Sequence, residues 1–117
     1  ATATAAYPHD LVAKFQKARS IRGMRFIRIL AACPAGWRTP DNLSVEVMRK
    51  AVQCNLFPLM EVEEGRRFRQ TVVPDEVVPV RDYLRMQGRF KQMSDQDVEA
   101  AQAQVEERFA RFDARFE

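Results

Sequence analysis

The stretch from Phe26 to Ala32, FIRILAA, is the feature that most restricts the fold of this chain. Six of its seven residues are apolar, and Arg28 is the exception. A strand with one solvated face alternates apolar and polar side chains, whereas a nearly continuous apolar run is typical of a strand covered on both faces. Parallel sheets flanked by helices contain strands of this kind. The run therefore predicts an α/β fold.

The residues before this run predict a strand followed by a helix. The segment ATATA alternates Ala with Thr, which suits a short strand, and Pro8 stands where the first turn of a helix tolerates proline. We expect a helix from Pro8 to Ala18, before the chain breaks at Gly23. Helical spacing predicts a buried face formed by Leu11, Val12, Phe15 and Ala18 and an outward face formed by Lys14, Lys17 and Arg19.

The residues after the run predict a second helix and a third strand. We expect the helix from Leu43 to Cys54, with an inner side of Val45, Met48, Ala51 and Val52. Asn55 is expected to close it, because Asn tolerates the left-handed backbone of many helix ends. The strand is LFPLMEV, in which Pro58 lacks an N–H and so predicts an edge position or a bulge. Residues 1–65 thus follow the βαβαβ order of an α/β sheet.

Residues 66–117 predict a C-terminal extension of different character. RRFRQTVV suits a short strand, and a short helix is expected from Val80 to Met86. Ser94 followed by Asp97 is a capping-box variant that predicts the start of a long last helix. Apolar residues then recur every three or four positions, which predicts a stripe that packs against another element. The stripe consists of Val98, Ala101, Val105, Phe109, Phe112 and Phe116.

Composition and charge exclude several classes of protein. Nineteen basic and 16 acidic residues are interspersed, and a formal net charge of +3 does not favour a nucleic-acid partner. Two cysteines and one histidine, His9, cannot supply the four ligands of a self-contained zinc site or iron–sulfur cluster. The N-terminus has no basic segment followed by a long apolar core, and no run of about 18 apolar residues occurs. We therefore expect a cytoplasmic protein without a membrane or nucleic-acid partner.

Cys33 is the candidate site residue, and two interpretations of it are open. It is either a small packing residue or a ligand, because ligands of open α/β sheets gather beyond the carboxyl ends of strands and Pro often follows an iron–sulfur cysteine. Cys54 lies late in a helix and is expected to pack. A thiol nucleophile with His9 as base is disfavoured, because nothing in the sequence brings them together. The acidic segment EVEEG (residues 61–65) is expected to be a solvated turn.

Four blocks of the sequence resemble successive parts of one family. AYPHDLVAKFQKA, RFIRILAACPAGWR, MRKAVQCNLFPLMEVEEG and VRDYLRMQGRFKQMSDQDVEAAQAQVEERF together cover nearly the whole chain. They resemble the C-terminal part of the thiamine-diphosphate-binding beta subunit of 2-oxoacid:ferredoxin oxidoreductases, the pyruvate synthase group. The most specific elements are the CPxGW turn, Cys33–Trp37, and the tetrapeptide QGRF, Gln87–Phe90. Ala32 and Asn55 replace the proline and glycine that are frequent in the family.

The resemblance implies a fold, a reaction and a site. It implies that residues 1–65 belong to a thiamine-diphosphate-binding domain and that 66–117 extend it. A 2-oxoacid would be oxidatively decarboxylated, with the acyl group passing to coenzyme A and electrons passing through [4Fe-4S] clusters to ferredoxin. Cys33 would supply one ligand of a [4Fe-4S] cluster. No catalytic or other cofactor-binding residue is implied in this segment.

The same resemblance implies that this chain does not work alone. The diphosphate, its magnesium ion and the other three cysteine ligands would be held elsewhere, so we expect a split polypeptide or a fragment that is completed by another chain. Which 2-oxoacid is used stays open, and an aryl 2-oxoacid such as phenylglyoxylate, with NAD as the final acceptor, is as open as pyruvate. A non-catalytic α/β interaction module, in which Cys33 only packs, is the alternative from a different class.

Overall fold

The computed structural model describes all 117 residues and contains both helices and strands, which confirms the α/β prediction. The strands are β1 (Thr2–Thr4), β2 (Arg28–Leu30), β3 (Leu59–Glu63) and β4 (Arg67–Val72). The helices are α1 (Pro8–Ser20), α2 (Pro34–Trp37), α3 (Ser44–Gln53), α4 (Val80–Arg85) and α5 (Asp95–Asp113). Short 3₁₀ turns occur at Asp41–Leu43 and Gly88–Phe90. No helix combines the length and the apolar character that a membrane crossing requires.

Strands β1 and β2 form a parallel pair joined through α1, as the βαβ order predicted. Thr2 lies opposite Arg28 in the register. The strand predicted from the apolar run is shorter than the run, and this chain does not cover both of its faces. Phe26 is 72% exposed and Ile29 is 48% exposed, because β2 pairs only with β1 and nothing packs on its outer side.

Strands β3 and β4 form an antiparallel hairpin. Its turn comprises residues 64–66, in which Glu64 and Gly65 have positive φ, and turns of this kind match the twist of paired strands. The ladder shifts register between Leu59 and Met60, which confirms the bulge or edge expected from Pro58. The hairpin spans residue 65, at which the sequence predicts a boundary between a domain portion (1–65) and an extension (66–117). That boundary stays a prediction.

The third strand of the expected βαβαβ unit contacts the first two without joining their ladder. The structure has two separate two-stranded sheets. The Thr2 hydroxyl bridges them, since it donates to the carbonyl of Pro58 at 2.6 Å and accepts from the amide of Met60 at 2.9 Å. A side chain therefore replaces backbone pairing beside a proline, which has no N–H to donate.

The hydrophobic core lies between α3, the hairpin, α4 and α5. Helix α3 buries Met48, Ala51 and Val52 as predicted, but Val47 is buried in place of Val45, which is 48% exposed. Asn55 has φ +59°, which confirms the left-handed helix end. The core cluster comprises Val47, Ala51, Val52, Cys54, Phe57, Leu59, Val80, Tyr83, Leu84, Val98 and Val105.

Helix α5 begins with the predicted capping box. Ser94 accepts from the amide of Asp97, and the Asp97 carboxylate accepts from the amide of Ser94. The stripe is buried only in its first half, at Val98 and Val105, while its three phenylalanines are half-buried. The chain end then returns to the hairpin, where the amide of Glu117 donates to the carbonyl of Phe68 at 2.9 Å.

Helix α1 is turned from the predicted orientation: Leu11 and Ala18 of the predicted inner face are half-buried, but Lys14 of the predicted outward face is buried and Val12 and Phe15 are exposed. Lys14 is 3% exposed, whereas Val12 and Phe15 are 52% and 46% exposed. The Lys14 ammonium donates to Asp10 at 2.6 Å and to the Thr2 carbonyl and the Thr71 hydroxyl at 2.7 Å each. Burial lowers the pKa of Lys14, although Asp10 opposes this shift. The side chains of Val12 and Phe15 are consequently left exposed.

Candidate functional site

The CPAGW segment folds as a single helical turn directly after β2. Cys33 has extended φ and ψ and precedes α2, and Pro34 occupies the first helical position, where its missing N–H leaves no bond unmade. The amide of Trp37 donates to the carbonyl of Cys33 at 2.8 Å. Arg38 then ends the turn in the left-handed conformation, with φ +52°. The sequence thus places the Cys33 thiol at the start of a rigid turn, where it is exposed.

Gly36 leaves space beside the Cys33 sulfur. A Cβ atom added at Gly36 would lie 3.2 Å from Cys33 Sγ, which is closer than ordinary van der Waals contact. The backbone at Gly36 does not have positive φ, so conformational freedom does not explain this glycine. Its lack of a side chain keeps one side of the sulfur free.

The second specific motif, QGRF, contacts this turn directly. The amide of Gly88 donates to the carbonyl of Arg38 at 2.9 Å, and the hydroxyl of Thr39 donates to the carbonyl of Met86 at 2.8 Å. A Cβ atom at Gly88 would lie 2.6 Å from the Cβ of Arg38, so any larger residue would push the two segments apart. Residues about 50 positions apart in sequence therefore form one site.

Arg89 stacks on the aromatic rings of this site. Its guanidinium carbon lies 4.2 Å from the ring centre of Trp37 and 4.5 Å from that of Phe90. Its Nε donates to Gln87 Oε1 at 2.8 Å, and Trp37 packs edge-to-face on Tyr83 with ring centres 6.5 Å apart. The sequence singled out both motifs but did not predict their contact, since no local pattern connects them.

The chain can offer a metal centre one thiolate. No group of three or more His, Cys, Asp or Glu side chains lies close enough to hold a metal ion. Cys54 is 2% exposed, its thiol donates to the carbonyl of Ala51 at 3.6 Å, and burial raises its pKa. Cys33 is the exposed thiol, and Gly36 keeps space beside its sulfur. These residues fit a shared site with ligands from elsewhere and do not fit a complete one.

Only the end of the acidic segment EVEEG, Glu64 and Gly65, is the solvated turn expected from the sequence. Glu61 is 8% exposed and forms ion pairs with Lys17 at 2.7 Å and Arg69 at 2.8 Å. Burial opposes ionisation of Glu61, but the hydrogen bonds from Arg69 and Lys17 outweigh it and lower the pKa of this carboxyl. Glu63 also pairs with Lys17, and only Glu64 lies in the turn itself. The cluster joins α1 to the hairpin. The prediction that Lys17 faces solvent is therefore wrong, because its ammonium is paired with Glu61 and Glu63.

Comparison with known proteins identifies relatives of the chain. Ketoisovalerate oxidoreductase subunit VorB of Pyrococcus horikoshii is 45% identical over 112 residues, which cover 95% of this chain and 36% of VorB. Pyruvate synthase subunit PorB of Methanocaldococcus jannaschii is 43% identical over 108 residues, which cover 92% of this chain and 36% of PorB. The beta subunit of NADH-dependent phenylglyoxylate dehydrogenase of Aromatoleum evansii is 40% identical over 111 residues, 92% of this chain and 24% of that subunit.

The likeness is strong along this chain and partial along its relatives. No protein-family model matches the chain. It spans about a third of the length of the VorB and PorB subunits. Over nearly its whole length, the chain is homologous to the beta subunits of 2-oxoacid:ferredoxin oxidoreductases, the family in which the resemblance of its CPxGW and QGRF segments placed it.

Proposed function

We propose that this chain forms part of the beta subunit of a 2-oxoacid:ferredoxin oxidoreductase and that Cys33 is its contribution to electron transfer. In the overall reaction, a 2-oxoacid loses carbon dioxide, coenzyme A takes the acyl group, and two electrons pass to ferredoxin. The observation that carries the proposal is the exposed Cys33 thiol at the start of a rigid turn, in a chain 45% identical to VorB.

Cys33 would be one of four thiolate ligands of a [4Fe-4S] cluster, which supplies one-electron transfer when bound. The residues around Cys33 support this role. Pro34 presents no amide hydrogen, and Gly36 leaves space next to the sulfur. The other three ligands would come from outside this chain, since Cys54 is buried in the core.

Thiamine diphosphate and its magnesium ion would be bound elsewhere in the subunit. The chain has no glycine-rich phosphate loop, and its carboxylates do not form a metal-binding group. These residues therefore do not fit the diphosphate, and we assign no step of decarboxylation to any side chain of this segment.

The open apolar surface supports a shared fold. Val12 and Phe15 on α1 and Phe26 and Ile29 around β2 are 46% to 72% exposed. This number of large exposed apolar side chains in a chain of 117 residues favours an interface. We propose that the rest of the beta subunit covers them, and that the complex is cytoplasmic, where both cysteines would remain reduced.

The substrate of the complex is a 2-oxoacid, and the relatives suggest two chemical types. Ketoisovalerate and pyruvate are aliphatic, whereas phenylglyoxylate carries an aromatic ring and its dehydrogenase is NADH-dependent by name. We favour an aliphatic substrate with ferredoxin as acceptor, because several relatives, at 36% to 45% identity, are named for ketoisovalerate or pyruvate, whereas one, at 40% identity, is named for phenylglyoxylate. Turnover of the complete enzyme on the three acids would decide between them.

The test of the proposed function compares Cys33→Ala with Cys54→Ala in the complete complex. Loss of a ligand leaves an iron to a weaker donor, whereas loss of a packing thiol leaves a small cavity. We expect Cys33→Ala to lower iron content or change the electron paramagnetic resonance (EPR) spectrum of the reduced complex, and to slow ferredoxin reduction.

The Cys54→Ala variant should keep iron content, spectrum and turnover. An unaltered [4Fe-4S] signal and normal turnover in Cys33→Ala would overturn the ligand assignment. A complex that is colourless after anaerobic purification would instead favour a non-catalytic interaction module.

A further inference from the structure

The QGRF tetrapeptide has no role in the proposed function, yet it contacts the turn that carries Cys33. We propose that Arg89 is a positioning residue that holds this turn in place. The effect of Arg89 on the enzyme rests on the proposed function of Cys33 as a cluster ligand. The positioning role itself rests on the geometry of this chain.

The guanidinium of Arg89 contacts two aromatic rings and a buried amide. The rings of Trp37 and Phe90 lie 4.2 and 4.5 Å from its central carbon. Along its edge, Nε donates to Gln87 Oε1 at 2.8 Å, and Nη2 lies 3.4 Å from the Tyr83 hydroxyl. A flat, delocalised cation with several donors suits this site, and a lysine ammonium cannot reproduce it.

The hydrogen-bond partner of Arg89 is itself fixed. Gln87 is 2% exposed, and its Nε2 donates to the carbonyl of Tyr83 at 2.9 Å. Its Oε1 would lose the Arg89 donor if the guanidinium moved away, and an unpaired polar atom in this setting is costly. A buried amide therefore sets the position of Arg89, which distinguishes it from a mobile surface arginine.

The fixed guanidinium acts on Cys33 through Trp37. The amide of Trp37 donates to the carbonyl of Cys33 at 2.8 Å, so the indole and the cysteine belong to the same helical turn. The close contact of Gly88 with Arg38 anchors the residue that follows the indole. Rotation of Trp37 away from Arg89 would therefore displace the turn and the sulfur that it carries.

The experiment uses the complete enzyme with Arg89→Ala, Arg89→Lys and the control Arg81→Ala. Arg81 is also a half-exposed arginine, but its side chain bonds to Asp95 on α5 and does not touch the turn. Two quantities are measured. One is the EPR spectrum and midpoint potential of the reduced cluster. The other is the rate at which iodoacetamide alkylates Cys33 after the cluster is removed, with the modified peptide identified by mass spectrometry.

We expect both Arg89 variants to change the EPR spectrum of the cluster and to shift its midpoint potential. In both variants, iodoacetamide should alkylate Cys33 about fivefold faster, the factor typical of one lost cation–π contact. Arg81→Ala should match the wild type in both. Arg89→Lys keeps the charge and the stem, so it serves as the second variant where Arg89→Ala lowers the yield of folded enzyme.

Two results would overturn the positioning role. Wild-type spectra and alkylation in Arg89→Ala would show that the turn holds itself. Wild-type behaviour of Arg89→Lys would show that any cation at this position suffices and that the planar guanidinium is not required. Failure of the proposed function has a different signature, because an unaltered cluster in Cys33→Ala removes the ligand role while the alkylation rate still decides whether Arg89 holds the turn.

Discussion

Helices α1 and α3 both carry apolar residues at helical spacing, yet they differ in the side chains that they bury. Helix α3 buries apolar residues such as Val47 and Val52, whereas α1 buries Lys14 and exposes Val12 and Phe15. The difference follows from what each helix packs against. Helix α3 faces the apolar core, while α1 faces polar acceptors on β1 and β4. An apolar stripe alone therefore does not decide which face of a helix is buried, and the cover proposed for the exposed residues of α1 lies outside this chain.

The first prediction tests the covered region and carries the largest effect. Leu59 is fully buried in the core, so Leu59→Ala should lower the free energy of unfolding by about 3 kcal/mol, through lost burial and the cavity left behind. Leu11→Ala, the matched change on the half-buried side of α1, should cost about 1 kcal/mol or less. Urea denaturation of the chain measures both. Equal costs would abolish the distinction between the two regions.

The second prediction tests the buried lysine. Lys14→Met keeps most of the stem but removes the ammonium, so Asp10, the Thr2 carbonyl and the Thr71 hydroxyl each lose a donor. We expect a loss of about 2 kcal/mol, since unpaired buried polar groups are costly and an apolar side chain recovers only part of it. Exposed Lys91→Met is the control and should change little. A stabilised Lys14→Met variant would mean that α1 is not held by this cluster.

Element positions in this fold could be predicted from the sequence because their signals are local. The Ser94 capping box, the left-handed Asn55 and the bulge beside Pro58 each depend on a few neighbouring residues. The orientation of α1 could not be predicted, because it depends on acceptors that reach Lys14 from β1 and from Thr71, 57 positions away. The same limit applies to Glu61, whose cations come from α1 and β4.

The candidate site also combines a residue that local sequence predicts with a contact that it does not predict. Cys33 is predicted as a candidate ligand from its place at a strand end before a proline, which is a local signal. The contact of Arg89 with Trp37 joins segments 52 residues apart, and spacing carries no information about it. Gly88 offered a partial signal, because a glycine inside a specific motif often marks a close approach, here to Arg38.

The third prediction concerns the ion pairs that join the two regions. The pKa of Glu61 is lowered in the folded state, so its stabilising effect is complete above its unfolded value of about 4.5 and is lost as pH falls through the folded value. Glu61→Gln should therefore lose less stability than the wild type as pH falls below about 4.5. The difference should be about 1 kcal/mol at most, because Lys17 and Arg69 are partly exposed and screened. Unfolding measured between neutral and acidic pH tests this.

The control for this pH dependence is Glu99→Gln, a change at an exposed glutamate that forms no ion pair. Its profile should follow the wild type throughout. If Glu61→Gln also follows the wild type below pH about 4.5, the ion pairs between α1 and the hairpin do not contribute to the attachment of that region.

The last prediction concerns Phe15→Ala, which has the smallest expected effect in this chain, and it compares the two regions most directly. Phe15 on α1 and Phe57 in the core are the same residue type at 46% and 8% exposure. Phe57→Ala should cost about 3 kcal/mol, and Phe15→Ala about 0.5 kcal/mol, because little of its burial is lost in the isolated chain. In the complete beta subunit, a covered Phe15 would cost several times more. A Phe15→Ala effect that stays small in the complete subunit would show that α1 keeps its apolar face in solvent, and the proposed cover would then have to lie at β2 alone.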